Sequence, residues 1–256
     1  MKNLLFVGDV VGKSGCDFLS SKLRLIKQQF SVDVTVVNGE NSAQGNGITR
    51  ASADMIFNAG ADIITTGNHA FRRREQLGLF DDDFIIRPAN YPEGGAPGKG
   101  VCVLDCGAYS VAVVNLMGTA LMEPLDNPFT VIDSILPDID VPNVFVDFHA
   151  ETTSEKKAMG FYLDGKVSGV FGTHTHVQTS DECILPGGTA YITDAGMTGP
   201  ELSCLGVEPA DVISSFRFRT PARFTEAAGD CFLCCIVVEF DEKCGKSYKI
   251  ERLIIR

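Results

Sequence analysis

Val167-Ser168-Gly169-Val170-Phe171-Gly172-Thr173-His174-Thr175-His176 decides how this chain is read. Val167–Phe171 is an apolar run of strand length, and the tail after it holds two of the chain's four histidines. In an extended segment residues i and i+2 face the same side, about 6.6–6.8 Å apart along the chain. Two imidazoles at that spacing can each hold one ion of a metal pair whose ions lie ~3.5–4 Å apart. An apolar run ending in ligand-type residues is therefore the pattern to look for elsewhere.

It recurs four times. Leu4–Val7 runs into Gly8-Asp9, Val32–Val37 into Asn38-Gly39-Glu40-Asn41, Ala61–Thr65 into Gly67-Asn68-His69, and Val144–Phe148 into His149. Helical patterns separate the first three. Ser14–Phe30 spaces Phe18, Leu19, Leu23, Leu25, Ile26 and Phe30 at an approximate helical period. A second helix runs from Thr49, a cap residue, to Ala59. Strands alternating with helices indicate an α/β fold, in which ligands bind beyond the carboxyl ends of the strands. Asp9, Glu40, Asn41, Asn68, His69, His149, His174 and His176 each follow an expected strand.

The remaining chain is more varied. Arg87–Gly100, rich in proline and glycine, reads as loop, as does Met117–Pro128. Val101–Cys106 and Ser110–Leu116 read as a hairpin. A helix is expected over Thr153–Tyr162, with Thr152 and Glu155 at capping-box spacing. Thr189–Thr193 is a short strand, Gly199-Pro200 a loop, and Asp211–Phe218 a helix. Cys231–Phe240 and Ser247–Ile255 close the chain as an antiparallel pair. The hairpins imply one mixed sheet or two sheets.

The 256 residues are 45% hydrophobic and 21% charged, the balance of a globular chain with a sizeable core. A net charge of -11 excludes a broad nucleic-acid surface, which needs Lys and Arg to neutralise phosphates. A small phosphate ester held by metal ions remains compatible with it, because a bound cation dominates local charge. No apolar run approaches a membrane span of ~20 residues. The early Asp9 does not suit a signal peptide. The nine scattered cysteines then read as reduced thiols of a cytoplasmic protein.

Carboxylates, amides and imidazoles without thiolates suit Mn, Fe or Zn in a reactive site rather than a cysteine-rich structural one. Each residue also has a plainer reading. Asp9 could cap the helix near Ser14, Asn68 could fit a tight turn, and Glu40 and Asn41 could be loop polars. Asp147, Glu151 and Asp194 are read as solvated, capping or supporting residues outside the site, and Glu155 as a cap. Gly8-Asp9-Val10-Val11-Gly12-Lys13-Ser14 imitates a phosphate loop, but it has three residues between its glycines where that motif has four. Asp9 would also put a negative charge inside the cradle. Cys231, Cys234 and Cys235 read as strand filling rather than a metal knuckle. Arg217, Arg219 and Arg223, interleaved with Phe216, Phe218 and Phe224, read as a mixed surface edge.

Taken together, Gly8-Asp9, Gly67-Asn68-His69 and Gly172-Thr173-His174-Thr175-His176 resemble the metallophosphoesterase (calcineurin-like) superfamily. Gly8-Asp9-Val10-Val11-Gly12, Asn38-Gly39-Glu40-Asn41, Asp147-Phe148-His149-Ala150-Glu151 and Gly187-Gly188-Thr189-Ala190-Tyr191 resemble its YmdB-like branch, which contains bacterial 2′,3′-cyclic-nucleotide phosphodiesterases. The resemblance implies one domain over residues 1–256, a layered α/β/β/α sandwich of two mixed sheets. It implies two transition-metal ions, iron or manganese ahead of zinc. Asp9, Asn41 and His176 would hold one, Asn68, His149 and His174 the other, with Glu40 between them and His69 as general acid. The superfamily commonly has Asp-x-His in the first motif; here position 11 is Val, and Asn41 takes the histidine's place. The implied substrate is a small cyclic nucleotide, with no extended nucleic-acid surface and no membrane. A homo-oligomer and an RNA-processing partner are implied as well. The alternatives are a broader phosphodiesterase or phosphatase, including one acting on RNA ends, and a regulatory nucleotide- or protein-binding module with incidental hydrolysis.

Overall fold

The computed structural model describes residues 1–92 and 94–256. Its strands form two mixed sheets. The first contains, in spatial order, β2 (Asp9–Val10), β11 (Met197–Pro200), β12 (Cys231–Phe240), β1 (Lys2–Val7), β3 (Val34–Asn38) and β4 (Ile63–Thr65), with β13 (Ser247–Ile255) also paired to β12. The second contains β5 (Val101–Asp105), β6 (Ser110–Met117), β7 (Asn143–His149), β8 (Gly169–Thr173), β10 (Ala190–Ile192) and β9 (Cys183–Ile184). In the first sheet β1, β3 and β4 run parallel, and in the second β6, β7, β8 and β10 do. The carboxyl ends of these parallel runs carry the candidate ligands.

Side-chain alternation builds the layers. Along β1, Leu5 and Val7 join a core with Leu19, Leu23 and Ile26 of α1 (Gly12–Gln29) and Ala53 and Ile56 of α2 (Arg50–Ala59). Leu4 and Phe6 point the other way, into a core between the sheets with Val113, Phe145, Phe171, Ile236 and Phe240. On β7, Val144, Val146 and Phe148 face the outer layer of α3 (Pro128–Ile135) and α4 (Thr153–Tyr162), whose Ile132 and Met159 are fully buried. The period of two that sends Phe145 inward sends Asp147 and His149 inward as well. The architecture is thus the α/β/β/α sandwich with two mixed sheets that the resemblance implies.

Several local expectations change. Gly199-Pro200 is strand, not loop, because β11 pairs parallel with β2 and antiparallel with β12. Thr49 caps α2 as expected, through reciprocal bonds with Ser52. The Thr152 cap forms in one direction only. Its side chain accepts from Glu155 N, while the Glu155 carboxylate turns away to accept from Thr119 N and Ala120 N at 2.9 and 3.2 Å. That carboxylate ties down the loop after β6. α3 and a 3₁₀ segment over Arg74–Asp81 lie where no helix is expected; Asn127 caps α3 and Pro128 starts it. All nine cysteines are free, with Cys234 and Cys235 buried in β12, as the strand-filling reading requires. Phe216, Phe218 and Phe224 are exposed around the end of α5 (Pro209–Phe218), a surface edge. No helix among the described residues is long and apolar enough to cross a membrane.

Candidate metal centre

One end of the sandwich gathers all eight candidate residues. The first sheet contributes Asp9, which opens β2 two residues past β1, and Glu40, Asn41, Asn68 and His69 from just beyond β3 and β4. The second contributes His149 at the end of β7, and His174 and His176 just past β8.

His149 Nε2 is the hub of one cluster. It lies 2.9 Å from Asn68 Oδ1, 3.1 Å from His174 Nδ1 and 3.3 Å from Glu40 Oε1. One ligand atom from each of Glu40, His149 and His174 lies within 4.8 Å of the others. Gly67 makes this crowding possible: a Cβ there would run into the His149 ring and lie 2.5 Å from Glu40 Oε2. Glu40 also reaches toward the second cluster. Its Oε1 accepts from Asn41 Nδ2 at 2.9 Å and lies 3.3 Å from His69 Nδ1, and its Oε2 accepts from His69 N at 3.0 Å.

The second cluster is looser. His176 Nε2 lies 3.6 Å from Asp9 Oδ1 and 3.3 Å from Asn41 Nδ2. Asn41 Oδ1 instead faces His69 Nδ1 at 2.8 Å. The amide therefore presents its nitrogen, not its oxygen, to the Asp9–His176 side, and a ligand role needs a half-turn of that amide. Asp9 is no helix cap. Its Oδ2 accepts from His174 N at 3.2 Å, and no side chain at position 11 caps α1. The Glu226 carboxylate, from the far end of the chain, accepts from Ser14 N at 3.0 Å and sits where a Cβ on Gly12 would be. A carboxylate thus fills the anion slot at that helix start, which disposes of the phosphate-loop imitation.

The donor set fits cations. Asp9 is fully buried, yet its Oδ1 has no hydrogen-bond partner, and neither does His176 Nδ1. A buried carboxylate oxygen without a donor is costly unless a positive charge meets it. Burial alone would raise the Glu40 carboxyl, but His149 and His69 beside it hold it well below the usual range. Burial would likewise lower His149, and the Glu40 charge instead pushes it up to about 9.

His174 and His176 do not form the extended pair that the sequence suggests. β8 ends at Thr173, and His174 and His176 have φ of 97° and 64°, both left-handed. They reach the site through a tight turn, not through strand alternation. Asp194 clamps that turn: its Oδ2 accepts from Thr175 N and Oγ1 at 3.1 and 2.6 Å and pairs with buried Lys156 Nζ at 2.7 Å. Glu151 meets His174 Nε2 at 2.9 Å, leaving Nδ1 for the cluster. Thr173 is a site residue the sequence did not disclose. Its hydroxyl donates to Asp147 Oδ1 at 2.6 Å and lies 2.9 Å from His149 Nδ1, which directs His149 Nε2 into the cluster. Asp147 also accepts from Thr65 Oγ1 and Asn38 Nδ2 at 2.5 and 2.9 Å. The signal available for Thr173 and Asp147 was positional only: small or acidic polars at the last inward-facing places of otherwise apolar strands.

Comparisons with known proteins agree with this architecture. The model of the YmdB-like protein family matches residues 5–253. The chain is 44% identical over 255 residues to the 2′,3′-cyclic-nucleotide 2′-phosphodiesterase of Bacillus subtilis (strain 168), covering 98% of this chain and 96% of that protein. The crystal structure of a novel phosphatase from Mycoplasma pneumoniae superposes with a TM-score of 0.95 at 34% identity, covering 99% of this chain and 93% of that one. A hypothetical protein from Thermus thermophilus superposes with a TM-score of 0.93 at 38% identity, covering 98% of each chain. Family model, sequence relatives and solved structures all span nearly the full length, and the chain belongs to the YmdB-like protein family.

Proposed function

We propose that this chain is a metal-dependent phosphodiesterase that hydrolyses 2′,3′-cyclic nucleotides to nucleoside 3′-phosphates, with two transition-metal ions, iron or manganese ahead of zinc. The gathering of Glu40, Asn68 and His174 around His149 Nε2 carries the reading, and the Bacillus subtilis relative supplies the substrate class. Asn68, His149 and His174 would hold one ion, Asp9, Asn41 and His176 the other, with Glu40 between. When bound, such a pair draws in phosphate oxygens, lowers the pKa of a water and stabilises charge in an in-line displacement.

The protein's own part in bond cleavage falls to His69. Its Nδ1 is held by Asn41, and its Nε2 has no partner among the described residues. At 26% side-chain exposure it is the most open of the four histidines, which suits exchange of protons with solvent. Asn41 Oδ1 and Glu40 Oε1 both face His69 Nδ1, at 2.8 and 3.3 Å, as acceptors for a proton there. With a proton on each ring nitrogen, the His69 imidazolium can release the one on Nε2 to a departing oxygen and remain a neutral imidazole. Water adds to phosphorus and loses one proton to solvent, the bond from phosphorus to O2′ breaks, and His69 gives its Nε2 proton to O2′.

Assaying metal-loaded protein on cyclic nucleotides, linear diesters and monoesters tests the reading. Preference for the cyclic diester supports it, preference for the others favours the broader phosphoesterase, and inertness on all three favours a binding module. His69→Ala should depress turnover by roughly 10²–10⁴-fold at unchanged metal content by elemental analysis; undiminished turnover would remove His69 from the reaction.

A further inference from the structure

A cleft of about 410 Å³ starts two residues past His69 and has no role in the site as described. Its walls include Phe71, Leu77, Tyr91, Pro92 and Pro97, with Arg74. Phe71 and Tyr91 meet edge to face, ring centroids 5.0 Å apart, and Phe71 is anchored from behind by Phe80 at 5.1 Å. The cleft is tied to both halves of the metal centre. On one side Arg72 N donates to His69 O at 3.0 Å, turning the chain from His69 through Phe71. On the other, Asn90, next to Tyr91, bonds Met117 through both its amide atoms at 2.8 and 2.9 Å, and Met117 is paired in register with His149.

The chemistry of the walls narrows the occupant. Its volume is that of a small-molecule site, for which ~300–1,000 Å³ is usual. The lining is apolar and aromatic, which suits a flat ring. Arg74 is exposed at the cleft and, among the described residues, makes no ion pair or hydrogen bond. The Tyr91 hydroxyl also has no such partner, and burial keeps the phenol protonated, its pKa pushed up to about 12. A planar ring bearing carbonyl or ring-nitrogen acceptors meets all three conditions; an aliphatic or purely anionic group does not.

We propose that this cleft receives the nucleobase of the substrate, seated against the Phe71–Tyr91 wall with Arg74 at its polar edge, so that the centre selects nucleoside phosphodiesters over base-free ones. The inference rests on the phosphodiesterase reading above. It names the groups that distinguish a nucleotide from any other cyclic diester. Stacking on an aromatic ring is tolerant of base identity, so the selection is for a base, with purines ahead of pyrimidines by ring area.

The test compares adenosine 2′,3′-cyclic phosphate with methyl riboside 2,3-cyclic phosphate, which keeps the sugar and the reacting ring but has methoxy in place of the base. The metal-loaded protein should favour the adenosine compound in kcat/KM by about tenfold or more. Tyr91→Ala should cut that preference at least about fivefold, Tyr91→Phe should retain most of it, and Arg74→Ala should reduce it. A lesion that merely loosens the fold lowers both substrates together and leaves the ratio intact. Equal kcat/KM for the two compounds, or a ratio unmoved by Tyr91→Ala, overturns the proposal. Calorimetric binding of adenosine 3′-monophosphate separates the two claims. A protein that hydrolyses neither compound yet binds this nucleotide, and loses that binding with Tyr91→Ala, sinks the phosphodiesterase reading and keeps the base site. A protein that neither hydrolyses nor binds overturns both.

Discussion

Thr173 shows how a single hydroxyl can govern the centre. It stands between a buried carboxylate and a buried imidazole, donating to Asp147 and meeting His149 Nδ1. Burial raises the Asp147 carboxyl to about 6, against the pull of His149 and the hydroxyls of Thr173 and Thr65. Replacing Thr173 by Val keeps the shape and removes the hydroxyl, freeing the His149 ring to turn. We expect Thr173→Val to weaken metal retention by roughly 10–100-fold, measured by competition with a chelator, with the fold intact by circular dichroism. Retention equal to the parent protein would show that packing alone orients His149. Asp147 and Thr173 were hard to recognise because their work is done through another residue. Nothing in Asp or Thr marks such a role until the neighbour is known.

At the scale of elements, the segment after β8 matters most. Left-handed backbone at two residues one apart, His174 and His176, is unfavourable for side chains with a Cβ, so other contacts must hold them. Asp194 fastens the middle of the turn, and Asp181 fastens its outgoing limb. Asp181 accepts from Thr179 Oγ1 at 2.7 Å and from Thr193 N and Oγ1 at 3.1 and 2.6 Å, and pairs with Lys157 at 2.6 Å. Burial would raise this carboxyl, but Lys157 and the two threonines hold it far below the usual range. Its folded pKa is lower than its unfolded one, so the ionised group stabilises the fold above the unfolded value of about 3.9. That contribution fades as pH falls through the folded value. Asp181→Asn should cost about 1 kcal/mol at pH 7, allowing for partial solvent screening. Denaturant titrations of the two proteins should converge as the pH is taken progressively below about 4; a gap that persists there would show a loss unrelated to charge.

The whole molecule sets the distance between the two halves of the centre. Asp9, Glu40, Asn41, Asn68 and His69 ride on one sheet and the other three histidines on its partner, so the core between sheets is the spacer. Phe145, with 1% of its surface exposed, fills the middle of that spacer. Its ring lies 6.0 Å from Phe171 and 5.2 Å from Phe240, centroid to centroid. Phe145→Ala should destabilise the protein by about 3–5 kcal/mol, lowering the denaturant midpoint. A loss below about 1 kcal/mol would mean that the sheets close over the gap.

Most of the ligand-type residues and the α/β alternation were legible in the sequence, because both rest on local regularities, whereas the layered plan came from the family resemblance. A strand buried on both faces is an apolar run, and in a parallel α/β sheet its carboxyl end is where polar chemistry gathers. This placed Asp9, Glu40, Asn41, Asn68 and the four histidines at one end of the fold before any contact was known. The tertiary structure alone decided how they meet. It replaced an extended His174–His176 pair by a left-handed turn, pointed the Asn41 amide toward His69, turned Glu155 from cap to loop anchor, and brought Glu226 across the chain to α1. Each of these depends on partners far apart in sequence, and a periodic pattern carries no information about which distant side chain will fill a given space.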